Sequence, residues 1–140
     1  MKLVVLAVGK MRDKHMSALC DDYVQRARRH VPVEIVEVED DDALERRLPA
    51  RAELIAREPG GDAWTTEELA KHLERQMVHG AQTIAFLIGG ALGLPKSVVA
   101  KASRRLSLSN LTLPHRLARV VLCEQLYRAM SIIRGEPYHH

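Results

Sequence analysis

The chain has 140 residues, which is the length of one domain and enough to bury a single hydrophobic core without disulfides or bound metals. Its 46% hydrophobic and 28% charged residues exclude a disordered chain, a collagen and a coiled coil. The two cysteines, Cys20 and Cys123, cannot form a disulfide framework, so we expect them to be buried as small apolar side chains in a reducing cytosol. No apolar run approaches the roughly 18 residues of a membrane span, so we expect a cytoplasmic protein without a membrane partner.

The net charge of +3 is unevenly distributed along the chain. Residues 1–95 carry 13 Lys and Arg against 16 acidic residues, whereas residues 96–140 carry eight against two. This asymmetry suggests an anionic partner for the C-terminal part, with a solvated helix face as the alternative. The acidic stretch 34–45 contains no Lys, Arg or His, and it predicts a solvated edge strand and loop rather than a metal site.

Strands and helices are predicted to alternate through the first half of the chain. Apolar β-branched runs indicate strands, and apolar residues at helical spacing, such as Met16, Leu19 and Tyr23, indicate helices. In chain order the patterns predict a strand over 3–8, a helix over 13–30, a strand over 33–38, a short helix over 43–48, and a weak strand over 53–56 followed by a turn at 59–61.

The alternation continues through the second half. Thr65 and Glu68 have the spacing of a capping box, and Gly80 suits the end of the helix that they begin. A strand over 83–88, a helix over 95–102, a strand over 104–108 and a long helix over 117–133 follow. The whole pattern predicts an α/β domain with a parallel sheet and helices on both faces. Because ligands of such sheets bind beyond the carboxyl ends of the strands, the candidate ligand loops are 56–61, 89–94 and 109–115.

A glycine-rich loop, residues 89–93, follows the strand over 83–88. It allows close backbone approach to a ligand, but its spacing matches neither the dinucleotide fingerprint nor the P-loop, and a plain turn is the alternative. The segment 108–115 mixes apolar residues with Ser, Asn, Thr and Pro. It could wrap an adenine with backbone donors and acceptors, or it could simply pack on the core.

The long helix and the tail carry the remaining candidate residues. Glu124 and Arg128 are four residues apart, which is the spacing of a surface ion pair, and the apolar face of this helix suggests a dimer interface. Tyr138 and His139 either fray like most chain ends or provide an acid–base or RNA-stacking pair.

Four segments of the chain together resemble one family. They are the glycine loop Ile88-Gly89-Gly90-Ala91-Leu92-Gly93, the segment 106–115, the helix segment Glu124-Gln125-Leu126-Tyr127-Arg128-Ala129 and the ending Pro137-Tyr138-His139. This family is the bacterial 23S rRNA (pseudouridine1915-N3)-methyltransferases of the SPOUT superfamily. The chain's first ten residues are also similar to the family's opening, so the resemblance spans the whole chain. It implies a single SPOUT methyltransferase domain over residues 1–140, with a C-terminal trefoil knot and a homodimeric assembly.

The resemblance also implies which residues bind and act. The knot loops would hold S-adenosyl-L-methionine, and the matching cofactor positions are Ala56, Gly89, Leu108, Ser109, Asn110, Leu111, Thr112 and Leu113. Tyr138 and His139 match the C-terminal pair that acts in catalysis, with His139 as candidate base or orienting group. The expected contacts to the phosphates of 23S rRNA are Arg104, Arg105, Arg119 and Arg128.

Two other functions stay open at this stage. The first is another SPOUT RNA methyltransferase, for example one that acts on tRNA. The second is a switch domain that resembles a response regulator, which would need acidic residues after the first strand and an aspartate at the end of the third. The sequence has Val8-Gly9-Lys10 and Ala56-Arg57 at those places.

Overall fold

The computed structural model describes residues 1–140, and it contains five strands and five helices. The strands are β1 (Lys2–Val8), β2 (Val33–Val38), β3 (Glu53–Asp62), β4 (Thr83–Ile88) and β5 (Arg104–Leu106). The helices are α1 (Lys14–Arg28), α2 (Asp41–Arg46), α3 (Thr66–Val78), α4 (Lys96–Lys101) and α5 (His115–Ile133). Each predicted element is present, and most bounds differ from the prediction by a few residues.

The five strands form one sheet in the order β2-β1-β4-β3-β5, and every pair of neighbours is parallel. The acidic strand β2 lies at one edge, as predicted. Strands β4, β3 and β5 are adjacent, so the segments that follow their carboxyl ends emerge side by side. The predicted parallel sheet is confirmed, and the trefoil knot stays a prediction.

Alternating residues of the central strands face two separate cores. Leu3, Val5 and Phe86 lie in the larger core with the buried faces of α1, α3 and α5. Val4 and Leu87 lie in the smaller core on the opposite face, with residues of α2 and α4. Helices therefore cover both faces, because a parallel strand with two apolar sides must be buried on both.

Helix α5 is covered within this chain. Its packing partners are α1 and α3, and the residues that fill those contacts include the fully buried Leu122, Leu126 and Met130. Much of the apolar face of this helix is therefore used inside the monomer, and a dimer interface on the rest of it stays a prediction. Neither α5 nor any shorter helix is long and apolar enough to cross a membrane.

The prediction that the third strand ends before a turn at 59–61 is wrong. Strand β3 continues to Asp62, and its register on β5 shifts, so that Arg57 and Asp62 both face Leu106. The four residues between them bulge out of the ladder. A β-carbon on Gly61 would lie 2.8 Å from the backbone carbon of Arg105, so this close approach of β3 to β5 requires a glycine.

Candidate functional site

A cavity of about 510 Å³ lies beyond the carboxyl ends of β4 and β5 and against the bulge of β3. This volume is within the range of small-molecule sites. We call it the loop cavity, and three segments line it: 57–59, 89–93 and 112–115. A smaller recess of about 190 Å³ shares Arg57, Pro59 and Thr112 with it and extends along residues 107–112. The three ligand loops predicted from the sequence therefore meet at one site.

Glycines determine the shape of the loop after β4. A β-carbon on Gly89 would overlap the backbone of Gly93, because residues 90 and 93 form a bridge that folds the loop tightly. Gly93 itself has φ +85°, a left-handed conformation that favours glycine. Gly89 is therefore required by the turn itself, and the folded turn presents its backbone to the cavity. Leu92 extends from this loop fully into solvent.

The loop after β5 is held by its own serines. Ser107 Oγ donates to the carbonyl oxygen of Ser109 at 2.9 Å, and Ser109 Oγ accepts from the amide of Leu111 at 2.9 Å. These bonds hold the polar backbone of residues 109–112 against the recess, while the Leu111 side chain is largely exposed. A loop of this kind can offer both amide and carbonyl groups to a heterocycle without using charged side chains.

The structure brings most of the predicted cofactor residues to these two cavities, with two exceptions. Gly89, Thr112 and Leu113 line the loop cavity, and Ser109, Asn110, Leu111 and Thr112 line the recess. Ala56 is fully buried in β3 beside Leu87 and lines neither cavity. Leu108 lines a different cavity, beside Trp64.

Arg57 and His115 also line the loop cavity, although the sequence pattern indicated no binding role for either. Arg57 Nη2 donates weakly to the carbonyl oxygen of Leu113 at 3.4 Å, and its buried Nε has no partner. Burial lowers the pKa of Arg57, and burial followed by the charges of nearby arginines lowers the pKa of His115. Their positions in the chain could have indicated this role, because Arg57 follows the buried part of β3 and His115 begins α5.

The tail is anchored by side-chain contacts. The Tyr138 ring packs against Tyr127 in a tilted arrangement with centroids 4.5 Å apart, and its hydroxyl donates to Glu124 Oε2 at 2.7 Å. Arg128 also donates to Glu124. The ion pair that the sequence predicts between these two residues is therefore present, but it is half-buried and holds the tail in place. Burial, followed by the bond to Glu124, raises the pKa of the Tyr138 phenol well above its usual range, so this group stays protonated.

Both ring nitrogens of His139 have partners. Arg128 Nη1 lies 3.2 Å from Nδ1, and Glu67 Oε1 lies 3.1 Å from Nε2. Because arginine can only donate and a carboxylate only accepts, Nδ1 carries the lone pair and Nε2 carries the proton. In this arrangement Nδ1, the nitrogen that could accept a proton, faces a guanidinium.

For one of the four arginines expected to contact RNA phosphates, the prediction is wrong. Arg119 is 1% exposed; its guanidinium pairs with Glu37 and donates to the carbonyl oxygen of Gly9 at 3.0 Å. It connects α5 to the carboxyl ends of β1 and β2 and is inaccessible to RNA. Arg104 and Arg105 remain partly exposed on β5.

Comparison with known proteins gives one consistent result. A family model described as "Predicted SPOUT methyltransferase" matches residues 1–139. The chain is 50% identical over 145 residues to "Ribosomal RNA large subunit methyltransferase H" of Sorangium cellulosum, with all of both chains covered. It is 43% identical over 155 residues to the protein of the same name from Rubrobacter xylanophilus, covering 99% of this chain and 98% of the relative.

Two solved structures are similar in fold. One is a probable methylase family protein from Haemophilus influenzae, with a TM-score of 0.57 and 12% identity, covering 99% of this chain and 70% of the other. The second is the SpoU methyltransferase AviRb from Streptomyces viridochromogenes in complex with AdoMet, with a TM-score of 0.54 and 13% identity, covering 89% of this chain and 56% of the other. At these identities the similarity concerns the fold alone.

Proposed function

The chain belongs to the SPOUT methyltransferase family, and on that premise we propose that it methylates N3 of a pseudouridine in 23S rRNA, with S-adenosylmethionine as the methyl donor. The observation that carries the proposal is 50% identity, over the full length of both chains, to a relative named as a large-subunit ribosomal RNA methyltransferase. A cytoplasmic site of action is part of this proposal, because bacterial ribosomes are there.

The loop cavity and its recess have the properties that this methyl donor requires. The folded glycine loop offers backbone without side chains, and residues 109–112 offer amides and carbonyls suited to the edge of an adenine. The residues proposed to hold the donor are Gly89 and Ser109 through Leu113, with Arg57 added as a wall of the site. Ala56 contributes to the site indirectly, because it packs in the strand that carries Arg57. Leu108 contributes by anchoring the start of the loop after β5.

When bound, S-adenosylmethionine supplies an electrophilic methyl group on a sulfonium. The chain has to place the acceptor nitrogen in line with that group and to allow the N3 proton to leave. Tyr138 stays protonated and therefore orients the tail through Glu124 rather than acting as a base. His139 accepts the proton only after the substrate displaces Arg128 from Nδ1; otherwise it serves as an orienting group.

The basic C-terminal part provides the contacts to RNA. Arg104 and Arg105 lie next to each other on the edge strand, exposed enough to reach phosphates, and Arg128 becomes available if the tail contacts rearrange. A homodimer is also proposed, as the family resemblance implies. The half-buried apolar residues of α5 that α1 and α3 leave uncovered are the proposed interface.

The test is to map methylation on rRNA. Purified protein and isotopically labelled S-adenosylmethionine are incubated with 70S ribosomes, isolated large subunits, protein-free 23S rRNA and tRNA, all from a strain without this activity. Labelled N3-methylpseudouridine in digested 23S rRNA, confined to one position, supports the proposal. Label in tRNA alone would favour the alternative SPOUT activity, and label at a carbon or ribose oxygen would refute the proposed chemistry.

A further inference from the structure

A second cavity, outside the proposed cofactor site, lies between β5, the start of α3 and the middle of α5. Its volume is about 240 Å³, and we call it the Trp64 cavity. Half-buried Trp64 forms one wall, Leu106, Ser107 and Leu108 a second, and Gln125 a third. None of the roles assigned above uses this space.

The Trp64 cavity is adjacent to both halves of the proposed site. Ser107 lines it on one side and lines the recess of the cofactor site on the other. Gln125 Nε2 donates to Glu124 Oε1 at 2.9 Å, and Glu124 accepts the Tyr138 hydroxyl. At the rim, Thr66 precedes Glu67, the partner of His139. A group in this cavity is therefore next to the donor loop and next to the tail at the same time.

The unused hydrogen-bonding capacity of the lining fits a pyrimidine edge. Gln125 uses its amide oxygen for the Thr66 hydroxyl, at 2.6 Å, and one amide proton for Glu124, which leaves the second proton for a carbonyl. Ser107 Oγ donates to Ser109 and retains lone pairs for an N–H donor. A pseudouridine carries an N1–H beside its C2 carbonyl, which is the complementary arrangement, and N3 on the other side of that carbonyl stays free to face the methyl donor.

The surroundings of Trp64 match those of an RNA contact. The guanidinium of Arg104 lies 5.1 Å from the indole centroid, and Glu53 holds it there at 3.6 Å. The neighbouring Arg105 is half-exposed. Proteins that recognise unstacked bases combine an aromatic wall with cations for the adjoining phosphates, and enzymes that modify a base first remove it from its stack.

We propose that the Trp64 cavity receives the uracil-type acceptor base of the RNA, with Trp64 as its apolar wall and Gln125 as its polar contact. This inference rests on the proposed function, since it names where that reaction's substrate binds. It makes Trp64 and Gln125 substrate-specificity residues, separate from the residues that hold the methyl donor.

The test separates substrate binding from donor binding. Trp64→Leu and Gln125→Leu are compared with Gln82→Leu, which makes the same change at an exposed position before β4. Methyl transfer to ribosomal particles is measured as kcat/KM, and S-adenosylmethionine binding is measured by calorimetry. We expect kcat/KM to fall at least tenfold in both cavity variants, donor affinity to stay within twofold, and Gln82→Leu to match the wild type.

A more conservative variant controls for folding. Trp64→Phe keeps an aromatic wall and should retain kcat/KM within about threefold. Because Trp64 is the only tryptophan, its fluorescence in Gln125→Leu reports whether the cavity is intact. Wild-type kcat/KM in Trp64→Leu, or an equal loss of donor affinity, would overturn this inference and leave the proposed function standing. A wild-type protein that binds the donor but methylates no RNA would overturn both.

Discussion

Removing the hydroxyl of Tyr138 should slow methyl transfer without weakening the fold. In Tyr138→Phe the ring still packs against Tyr127, whereas the 2.7 Å bond to Glu124 is lost. Hydrogen bonds to charged groups contribute about 1.5–3 kcal/mol, and the lower end applies here because Arg128 still satisfies the carboxylate. If all of that energy orients the tail in the transition state, the rate falls about tenfold.

The assay is single-turnover methylation of ribosomal particles, with circular dichroism and calorimetric titration of S-adenosylmethionine on the same samples. Tyr23→Phe is the matched control, since it also removes one phenol hydroxyl from a ring that packs against Tyr127, with centroids 6.5 Å apart. Deleting residues 138–140 removes His139 as well and should reduce the rate at least a hundredfold, about 2.7 kcal/mol. An undiminished rate in Tyr138→Phe would refute the orienting role, and an undiminished rate after the deletion would place the base elsewhere.

Further predictions concern the loop, the buried ion pair, the imidazole at the cavity and the assembly. Gly89→Ala must displace the backbone of Gly93, so calorimetry should show donor affinity reduced at least tenfold, about 1.4 kcal/mol; unchanged affinity in a folded variant would exclude this loop. Arg119→Leu should lower the free energy of unfolding in urea by about 1.5–3 kcal/mol, because the charge-assisted bonds to Glu37 and to the Gly9 carbonyl are lost; a loss under 1 kcal/mol would contradict this. Because the pKa of His115 is lowered in the folded protein, the unfolded chain takes up a proton at this residue at a higher pH than the folded protein does. The free energy of unfolding should therefore fall as pH drops below about 6.5. His115→Gln should reduce that decline, measured by thermal melts at pH 5 and 7. Sedimentation at micromolar concentration should give twice the chain mass, and a monomer throughout would exclude the homodimer.

Local pattern and spacing predicted the fold well because each element carries its own signal. The alternation of strands and helices, the capping box at Thr65 and Glu68, and the meeting of segments 57–59, 89–93 and 112–115 at one cavity are all as the sequence indicates. The end of β3 was missed because Pro59 and the two glycines read as a turn. Only the partner strand β5 shows that they form a bulge within a longer strand.

Residue roles were less predictable because they depend on contacts between distant parts of the chain. Arg119 is in the most basic part of the chain, yet its charge is used by Glu37, 82 residues away. The spacing of Glu124 and Arg128 predicts an ion pair, but not that Tyr138 joins it. Ala56 matched a family position, although its side chain is buried and the adjacent Arg57 lines the cavity.

The strand order has a consequence for how the protein is made. Strand β1 is among the first segments to leave the ribosome, but its partner β4 pairs Thr83 with Lys2 and is synthesised long afterwards. At bacterial elongation rates this delay is on the order of ten seconds, during which one edge of an apolar strand has no partner. Parallel sheets with such distant pairings fold slowly. We therefore expect the nascent chain to depend on a holding chaperone until β4 emerges, and the purified protein to refold in seconds rather than milliseconds.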